Sequence, residues 1–221
     1  MSAWDCPGAF AILPYVEHAY GVYHVTGGLS EISEGMAKVC EEHGVDIRLN
    51  SPVKQLTLDG RNVTGVELED GEKIFADETI LNADFGYAMK NLVPPGVLKK
   101  YTPEKVDSKE YSCSTFMLYL GVDKLYDLPH HQIYASGNYE SNLEDIETHH
   151  RLTWDDPSFY VQNASITDDS LAPKGQSTVY VLVPVPNNLS KINWIKEEDA
   201  EKYIILEPTK SCLLYTSPSP R

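Results

Sequence analysis

The sequence is poor in basic residues, and this shortage limits the partners that the protein can have. Eighteen lysines and arginines stand against thirty-three aspartates and glutamates, which gives a formal net charge of −15 over 221 residues. A surface of that sign repels a phosphate backbone, so nucleic-acid binding is disfavoured. Apolar residues at 42% and charged residues at 23% are ordinary globular proportions, which exclude a disordered or collagen-like chain.

Cysteines and long apolar runs are also scarce. The four cysteines form no Cys-x-x-Cys pair, so we expect neither a zinc site nor a disulfide framework, and a reducing compartment is favoured. The longest uncharged apolar run, from Cys6 to Val16, contains two prolines and is too short to cross a bilayer. No basic segment precedes this run, so we expect a protein that is not secreted and is soluble or only peripherally attached to a membrane.

Several motifs of nucleotide and metal chemistry are missing from the sequence. It contains no Gly-x-Gly-x-x-Gly turn, no phosphate loop, no nucleophile elbow and no EF-hand. Histidine pairs occur at His130-His131 and His149-His150, but neighbours on a strand point to opposite faces, so one pair is poorly suited to chelating an ion. We therefore predict no metal site.

Residues 27–85 have the pattern of a compact α/β unit. Leu29, Ile32, Met36 and Val39 fall on one helical face; Ser30 precedes them as an expected N-cap, and Gly44 comes after them as an expected terminator. Short strands with tight Asp-Gly turns come next, and we predict them at Asp46–Leu49, Pro52–Leu58, Asn62–Leu68, Lys73–Ala76 and Thr79–Asn82.

The segment from residue 86 to 208 is predicted to be rich in β-structure. Helical turns are expected over Tyr87–Leu92, and acidic or proline-containing loops separate predicted strands at Ser112–Gly121, His131–Ala135, Ser158–Gln162 and Thr178–Val183. Residues 209–221 differ from the rest because they have two Ser-Pro steps and no periodicity. We interpret them as a non-native tail and leave them out of the fold prediction.

The step Gly27-Gly28 ahead of the predicted helix is the most informative short segment. Two glycines let a backbone approach a ligand closely, and free N–H groups at a helix start attract phosphate. An ordinary loop explains the same two residues, so the step gains weight only from the order of the segments after it.

In their order, these segments resemble the flavin-binding domain of amine-oxidase-like flavoproteins, and more closely the bacterial-type phytoene desaturases. The likeness runs from about Cys6 to Trp194. It is carried by Pro14-Tyr15, Gly27-Gly28-Leu29, Asn82-Ala83-Asp84, Leu118-Tyr119-Leu120-Gly121, His130-His131, Tyr160, Thr167-Asp168 and Val181-Leu182-Val183-Pro184-Val185-Pro186.

The resemblance implies an α/β (α+β) fold: part of a two-domain, glutathione-reductase-like FAD flavoprotein with a β-rich substrate domain. Residues 1–26 would be a substrate or lid region, 27–85 part of the FAD-binding domain, and 86–208 the substrate domain. The residues implied to contact FAD are Gly27, Gly28, Leu29, Val53, Asn82, Ala83 and Asp84.

The implied reaction introduces carbon–carbon double bonds into a lipophilic polyene by hydride transfer to flavin. Such a substrate needs an apolar channel, and the implied lining is Ile12, Tyr15, Phe116, Leu118, Tyr119, His130 and His131, although ordinary core packing explains the apolar residues as well. Peripheral membrane contact through the Cys6–Val16 run is expected, in the cytoplasm or a plastid-type compartment. No single catalytic residue and no oligomeric state is implied.

The sequence departs from this family at both ends, because the opening Gly-x-Gly-x-x-Gly segment and the closing glycine-rich segment are missing. We therefore expect a fragment that binds FAD poorly by itself. A flavin-dependent carotenoid isomerase, a retinoid saturase and a non-catalytic α/β binding module remain alternatives.

Overall fold

The computed structural model describes residues 6–153, 155–190 and 192, and the chain forms two compact units. One unit consists of the residues up to Met36 together with those from Ser112 onward, and the other is Ala37–Tyr111. These boundaries differ from the predicted segments 1–26, 27–85 and 86–208, whose functional assignments stay predictions. The predicted tail at 209–221 lies outside the described residues.

The unit Ala37–Tyr111 is built on a three-stranded antiparallel sheet in the order β1-β2-β3. Its strands are β1 (Val53–Asp59), β2 (Asn62–Leu68) and β3 (Lys73–Phe75). Both connections are the predicted Asp-Gly turns, with Gly60 at φ 60° and Gly71 at φ 92°. Strand β1 packs against a π-helix, Ala88–Leu92, which comes after the short helix α3 (Phe85–Tyr87); helix α4 is Pro103–Asp107.

Two of the predicted strands in this unit are absent. Residues 46–49 and 79–82 form no strand pairing, and the side chains of Leu49 and Ile80 are 80% and 92% exposed. An apolar run becomes a strand only when it pairs with a neighbouring edge, and in the described part of this unit neither run pairs with β1 or β3, the two edge strands of the sheet.

The other unit contains a four-stranded antiparallel sheet in the order β4-β7-β6-β5. Its strands are β4 (Ser114–Val122), β5 (His131–Tyr134), β6 (Phe159–Asn163) and β7 (Ser177–Val185). Each agrees with a predicted strand to within two residues, which confirms a mixed α/β fold. Its helices are α1 (Ile12–Tyr20), preceded by the 3-10 turn Gly8–Ala11, and α5 (Tyr139–Glu147). Helix α2 (Ser30–Glu42) contains the boundary between the units.

Helix α5 occupies a stretch that the sequence suggested was an acidic loop. Asn138 caps its start by accepting the Ser141 N–H at 3.3 Å. Its acidic residues include Glu140 and Glu144, which are exposed, whereas Asn142 and Ile146 are buried. The loop prediction was wrong because a helix only nine residues long needs few buried positions, too few to produce a clear apolar period.

The two faces of the four-stranded sheet have different environments. Phe116, Val181 and Phe159 pack around a buried cluster of Leu152, Val183 and Val185 on one face. Because side chains alternate along a strand, the residues between them in sequence point to the opposite face. That opposite face carries the candidate site.

Candidate functional site

The Gly27–Gly28 turn leads directly into α2. Both glycines have positive φ angles, 87° and 98°, which side-chain-bearing residues rarely adopt. The N–H of Gly28 donates to the carbonyl of Val25 at 2.9 Å, so the chain reverses sharply before the helix begins at Ser30. Leu29 is 75% exposed. Both glycines are half-buried: the Glu31 side chain lies where a Cβ of Gly27 would stand, at 2.9 Å, and Leu171 lies 3.7 Å from the Cβ position of Gly28.

Asp168 holds this turn from the connection between β6 and β7. Its Oδ2 accepts the Gly27 N–H at 2.8 Å and the His24 Nε2–H at 3.0 Å. Its Oδ1 accepts from the backbone N–H of Ser170 at 3.1 Å and from the Ser170 hydroxyl at 2.6 Å. The side chain is buried, and these donors, the Ser170 hydroxyl first and then the Gly27 N–H and His24, hold the pKa of the Asp168 carboxyl well below its usual range.

Neither glycine N–H is free, in contrast to the free amides predicted for this helix start. The Gly27 N–H is bonded to a carboxylate and the Gly28 N–H to a carbonyl. Any cofactor contact at the turn therefore falls to the Cα atoms and carbonyl groups. The assignment of Gly27, Gly28 and Leu29 to cofactor binding stays a prediction.

A row of rings begins at His24 and crosses the sheet. We call it the ring row, and its successive ring centroids are 5.0, 4.3, 5.9, 5.9 and 5.2 Å apart. Its members, in order, are His24, His130, His131, Tyr160, Tyr180 and Tyr119.

Strand register explains the sheet part of the ring row. Tyr119 lies opposite Tyr180 in the β4–β7 pair, and Tyr160 lies diagonally from Tyr180 and from His131 in the neighbouring pairs. The strand positions on this face carry no Asp, Glu, Lys or Arg; besides the rings they are Thr115, Met117, Gly121, Gln162, Ile133, Thr178, Leu182 and Pro184. The face is therefore uncharged, although Tyr119 is 57% exposed.

The pair His130-His131 departs from the predicted geometry. The two rings lie side by side with an interplanar angle of 30°, because His130 precedes the first residue of β5 and strand alternation does not apply to it. His130 Nδ1 is 2.8 Å from the Thr167 hydroxyl, and His131 Nδ1 is 2.6 Å from the Tyr160 hydroxyl. Burial, reinforced by the other two histidines, lowers the pKa of His130, which favours a neutral ring at neutral pH.

An apolar cavity of about 340 Å³ lies at one end of the same face, under α5. Tyr160 belongs both to its wall and to the ring row. The wall is otherwise mostly aliphatic and aromatic: Ile133, Leu182 and Pro184 come from this face, Leu143 and Ile146 come from α5, and Phe159, which also packs against the core cluster, completes it. Tyr160 thus joins the ring row to the cavity.

The predicted channel residues divide between the two faces. His130 and His131 lie in the ring row, as does Tyr119. Phe116 packs into the core on the opposite face, and Leu118 points the same way because it pairs with Val181. These two cannot line one surface with Tyr119. Their channel role therefore has no support here beyond the resemblance.

Ile12 and Tyr15 lie in α1, 61% and 63% exposed, and nothing described contacts them as a channel wall.

The remaining predicted FAD contacts lie in the unit Ala37–Tyr111. Val53 opens β1 and pairs with Leu68, an arrangement that packing alone explains. Asn82 and Ala83 are exposed, and Asp84 caps α3 by accepting the Tyr87 N–H at 2.7 Å. Their assignment to FAD stays a prediction.

Four residues of the site were not chosen from the sequence as functional positions: His24, Asp168, Tyr160 and Tyr180. Tyr160 and Asp168 stood in segments that carry the resemblance, but no local pattern shows that residues 24 and 168 meet. Tyr180 is explained by the alternation of β7, which places it with Leu182 and Pro184.

The described residues contain no group of three or more His, Cys, Asp or Glu side chains suited to a metal ion. Among the helices described, none is long and apolar enough to span a membrane.

Comparison with known proteins identifies the family. Residues 6–205 match the family model for flavin containing amine oxidoreductases. The chain is 56% identical over 194 residues to a 4,4'-diapophytoene desaturase (4,4'-diapolycopene-forming) of Methylomonas sp, which covers 88% of this chain and 38% of that relative. It is 40% identical over 198 residues to an all-trans-zeta-carotene desaturase of Myxococcus xanthus, covering 88% and 37%.

A phytoene desaturase of Cercospora nicotianae is 36% identical over 194 residues, covering 86% of this chain and 31% of that relative. The chain therefore spans less than two-fifths of the length of these relatives. The match to the family model covers most of the chain, so the chain belongs to the flavin-containing amine oxidoreductase family.

Proposed function

We propose that the full-length protein is an FAD-dependent carotenoid desaturase that introduces double bonds into a lipophilic polyene. The observation that carries this proposal is the 56% identity to a diapophytoene desaturase over 88% of the chain. Other relatives, at 40% and 36% identity, also carry desaturase names. The aromatic side chains of the ring row, on strand positions that carry no Asp, Glu, Lys or Arg, agree with a substrate that has no polar group to recognise.

The ring row would serve such a substrate in two ways. An apolar chain laid along it gains contact with ring faces and loses no hydrogen bond to water, because it has none to lose. The nearby cavity would accept the end of the chain, since its wall is largely apolar. The strand positions on this face carry no Asp, Glu, Lys or Arg. A bound polyene therefore covers none of these charged groups, and their cost of desolvation does not arise.

The Gly27–Gly28 turn is the proposed cofactor contact, because the glycines carry no side chain of their own; the flexible Glu31 side chain beside Gly27 would turn away when the ligand binds. Val53 and the segment Asn82–Asp84 are the other proposed contacts. FAD, when bound, supplies the acceptor for a hydride from one carbon, while the neighbouring carbon loses a proton. The protein's part is to hold the polyene against the ring row and to keep the turn open.

Peripheral membrane contact is part of the proposal, because the substrate dissolves in lipid. The 3-10 turn and α1 expose large apolar side chains at 43–66%: Phe10, Ile12, Leu13, Tyr15, Val16 and Tyr20. With a net charge of −15, attraction to anionic lipid is disfavoured, so an apolar contact is the better route. We propose a cytoplasmic or plastid-type location at the membrane surface, and no nucleic-acid partner.

The test is expression of the full-length protein in bacteria that accumulate phytoene or 4,4'-diapophytoene. We expect visible flavin absorbance in the purified protein and new, more desaturated products on chromatography. Isomerised but not desaturated product would favour a carotenoid isomerase, and saturation of a retinoid would favour a saturase. A purified protein without flavin would contradict the proposal and leave a binding module.

A further inference from the structure

The proposed function gives no role to the carboxylate of Asp168. This side chain is 6% exposed and accepts hydrogen bonds from four donors. Its two oxygens have separate tasks. Oδ1 caps the 3-10 turn Asp169–Leu171, as an aspartate before a helical turn commonly does. Oδ2 reaches outside that turn to Gly27 and His24, 141 and 144 residues away in sequence. A local cap needs only the first task.

The second task determines the shape of the Gly27–Gly28 turn. A glycine pair can adopt many backbone conformations, and the one seen here has two positive φ angles. Fixing both glycines in this single conformation costs backbone entropy. The bond from the Gly27 N–H to Oδ2 selects one arrangement. Leu171 supports it from the same connection, since a Cβ at Gly28 would lie 3.7 Å from its Cδ2.

Asp168 also determines the state of His24. A carboxylate only accepts hydrogen bonds, so His24 Nε2 must carry a proton in this contact. The ring thus held makes the T-shaped contact with His130 that begins the ring row, with centroids 5.0 Å apart. One carboxylate therefore joins the glycine turn to the first ring of the row.

We propose that Asp168 is a positioning residue that fixes the Gly27–Gly28 turn and the His24 ring in the arrangement that FAD binding requires. This inference rests on the proposed function, since the need for FAD comes from there. Asp168 itself is not assigned a chemical step. Its contribution is to hold backbone and ring in place.

The substitution Asp168→Asn tests the proposal in the full-length protein. An asparagine keeps Oδ1 as the cap but turns an NH₂ toward Gly27 and His24, which leaves the Gly27 N–H without an acceptor. We expect the FAD dissociation constant to rise about tenfold or more, as loss of a charged buried acceptor implies. In the flavin-free protein, we expect the amide hydrogens of the peptide covering residues 24–31 to exchange at least about tenfold faster.

Two matched variants separate positioning from general destabilisation. Asp169→Asn changes an exposed neighbour and should leave both measurements unchanged. Val185→Ala weakens the core on the other face of the sheet, so it should lower stability and leave FAD affinity within about twofold. If Asp168→Asn does not fold, the variant His24→Ala is used instead. We expect a smaller rise in its FAD dissociation constant, and again faster amide hydrogen exchange in the peptide covering residues 24–31.

The outcomes distinguish the inference from the proposed function. Wild-type protein that binds FAD, together with an Asp168→Asn variant of equal affinity and equal exchange, would overturn the inference alone. Wild-type protein that binds no FAD would overturn the proposed function. The proposal that the turn must be fixed for FAD binding would fall with it. Faster exchange in that case would still establish the contact from Asp168 to the turn.

Discussion

The two sheets of this chain carry different kinds of side chain at their exposed positions. The three-stranded sheet carries charge on its surface: Lys54 Nζ pairs with Glu67 at 2.7 Å, and Glu67 also accepts from Gln55 at 3.2 Å. The four-stranded sheet leaves one face partly exposed without strand-borne charge and covers it with rings. A charged sheet surface is stable against water by itself, whereas an uncharged aromatic one indicates a ligand or another part of the protein. The difference suggests scaffold in one sheet and recognition in the other.

If the three-stranded sheet is scaffold, a substitution at its tightest backbone contact, where β3 approaches Gly65 in β2, should cause a large loss in the free energy of unfolding. Gly65→Ala would place a Cβ 2.9 Å from the Cα of Phe75, and closer still to the carbonyl oxygen of Ile74, at a φ of 144°. We expect a loss of about 3 kcal/mol or more, because β3 must move away from β2. Chemical denaturation of the full-length protein measures it. Gly71→Ala, where nothing lies within 4 Å, should cost only about 1 kcal/mol.

The core face of the four-stranded sheet should behave as scaffold too. Val185 is 2% exposed, and Val185→Ala removes two buried methyl groups. We expect a loss of about 2 kcal/mol in the free energy of unfolding, with turnover per folded molecule unchanged. Denaturation and product analysis of the same preparation check both parts. A fall in turnover as large as that of a ring-row variant would erase the distinction between the two faces.

The ring row should show the reverse pattern. Tyr119→Lys places a charge on the face proposed to hold the polyene, at a position exposed enough for the lysine to reach water. We expect product formation to fall about tenfold, and the free energy of unfolding to change by less than about 1 kcal/mol. Tyr119→Phe is the control and should retain activity. Full activity of the lysine variant would show that the substrate lies elsewhere.

The smallest expected effect is that of low pH on the stability of the Asp168→Asn variant compared with wild type. The pKa of the Asp168 carboxyl lies below its unfolded value, so its contribution to stability is complete above about pH 4 and is lost as the pH falls below that value. We expect a shallower acid limb of the stability curve for Asp168→Asn than for wild type, measured by denaturation at stepped pH. Equal limbs would mean that Asp168 has no favourable native contacts to lose. Asp169→Asn should retain the wild-type limb.

The sequence predicted elements whose signal is local. Ser30, expected as the N-cap, is instead the first residue of α2, one position from the prediction; Gly44 comes after the helix with a φ of 78°, and β2 has the predicted bounds Asn62–Leu68. Glycine turns and alternating apolar residues act over a few residues, so they can be recognised without a structure. The missed strands at 46–49 and 79–82 depend on a partner edge, which no local pattern supplies.

The site was less predictable because its contacts are distant in sequence. His130 and His131 were found through the resemblance, but the face on which each strand residue lies depends on register. Strand alternation already predicts opposite faces for Phe116 and Tyr119, but only the pairing and packing in the structure show that Phe116 is on the core face and Tyr119 on the other. The contact between Asp168 and Gly27 joins residues 141 apart, so composition and periodicity contain no trace of it.

That separation has a consequence for how the protein is made. The glycine turn emerges from the ribosome long before the carboxylate that shapes it, and domains generally begin to fold as they are synthesised. The turn therefore stays unshaped until the connection between β6 and β7 has been translated. If FAD binds at this turn as we propose, its binding is a late event of biosynthesis, because a chain that stops before residue 168 has the glycines but not the carboxylate that bonds to Gly27.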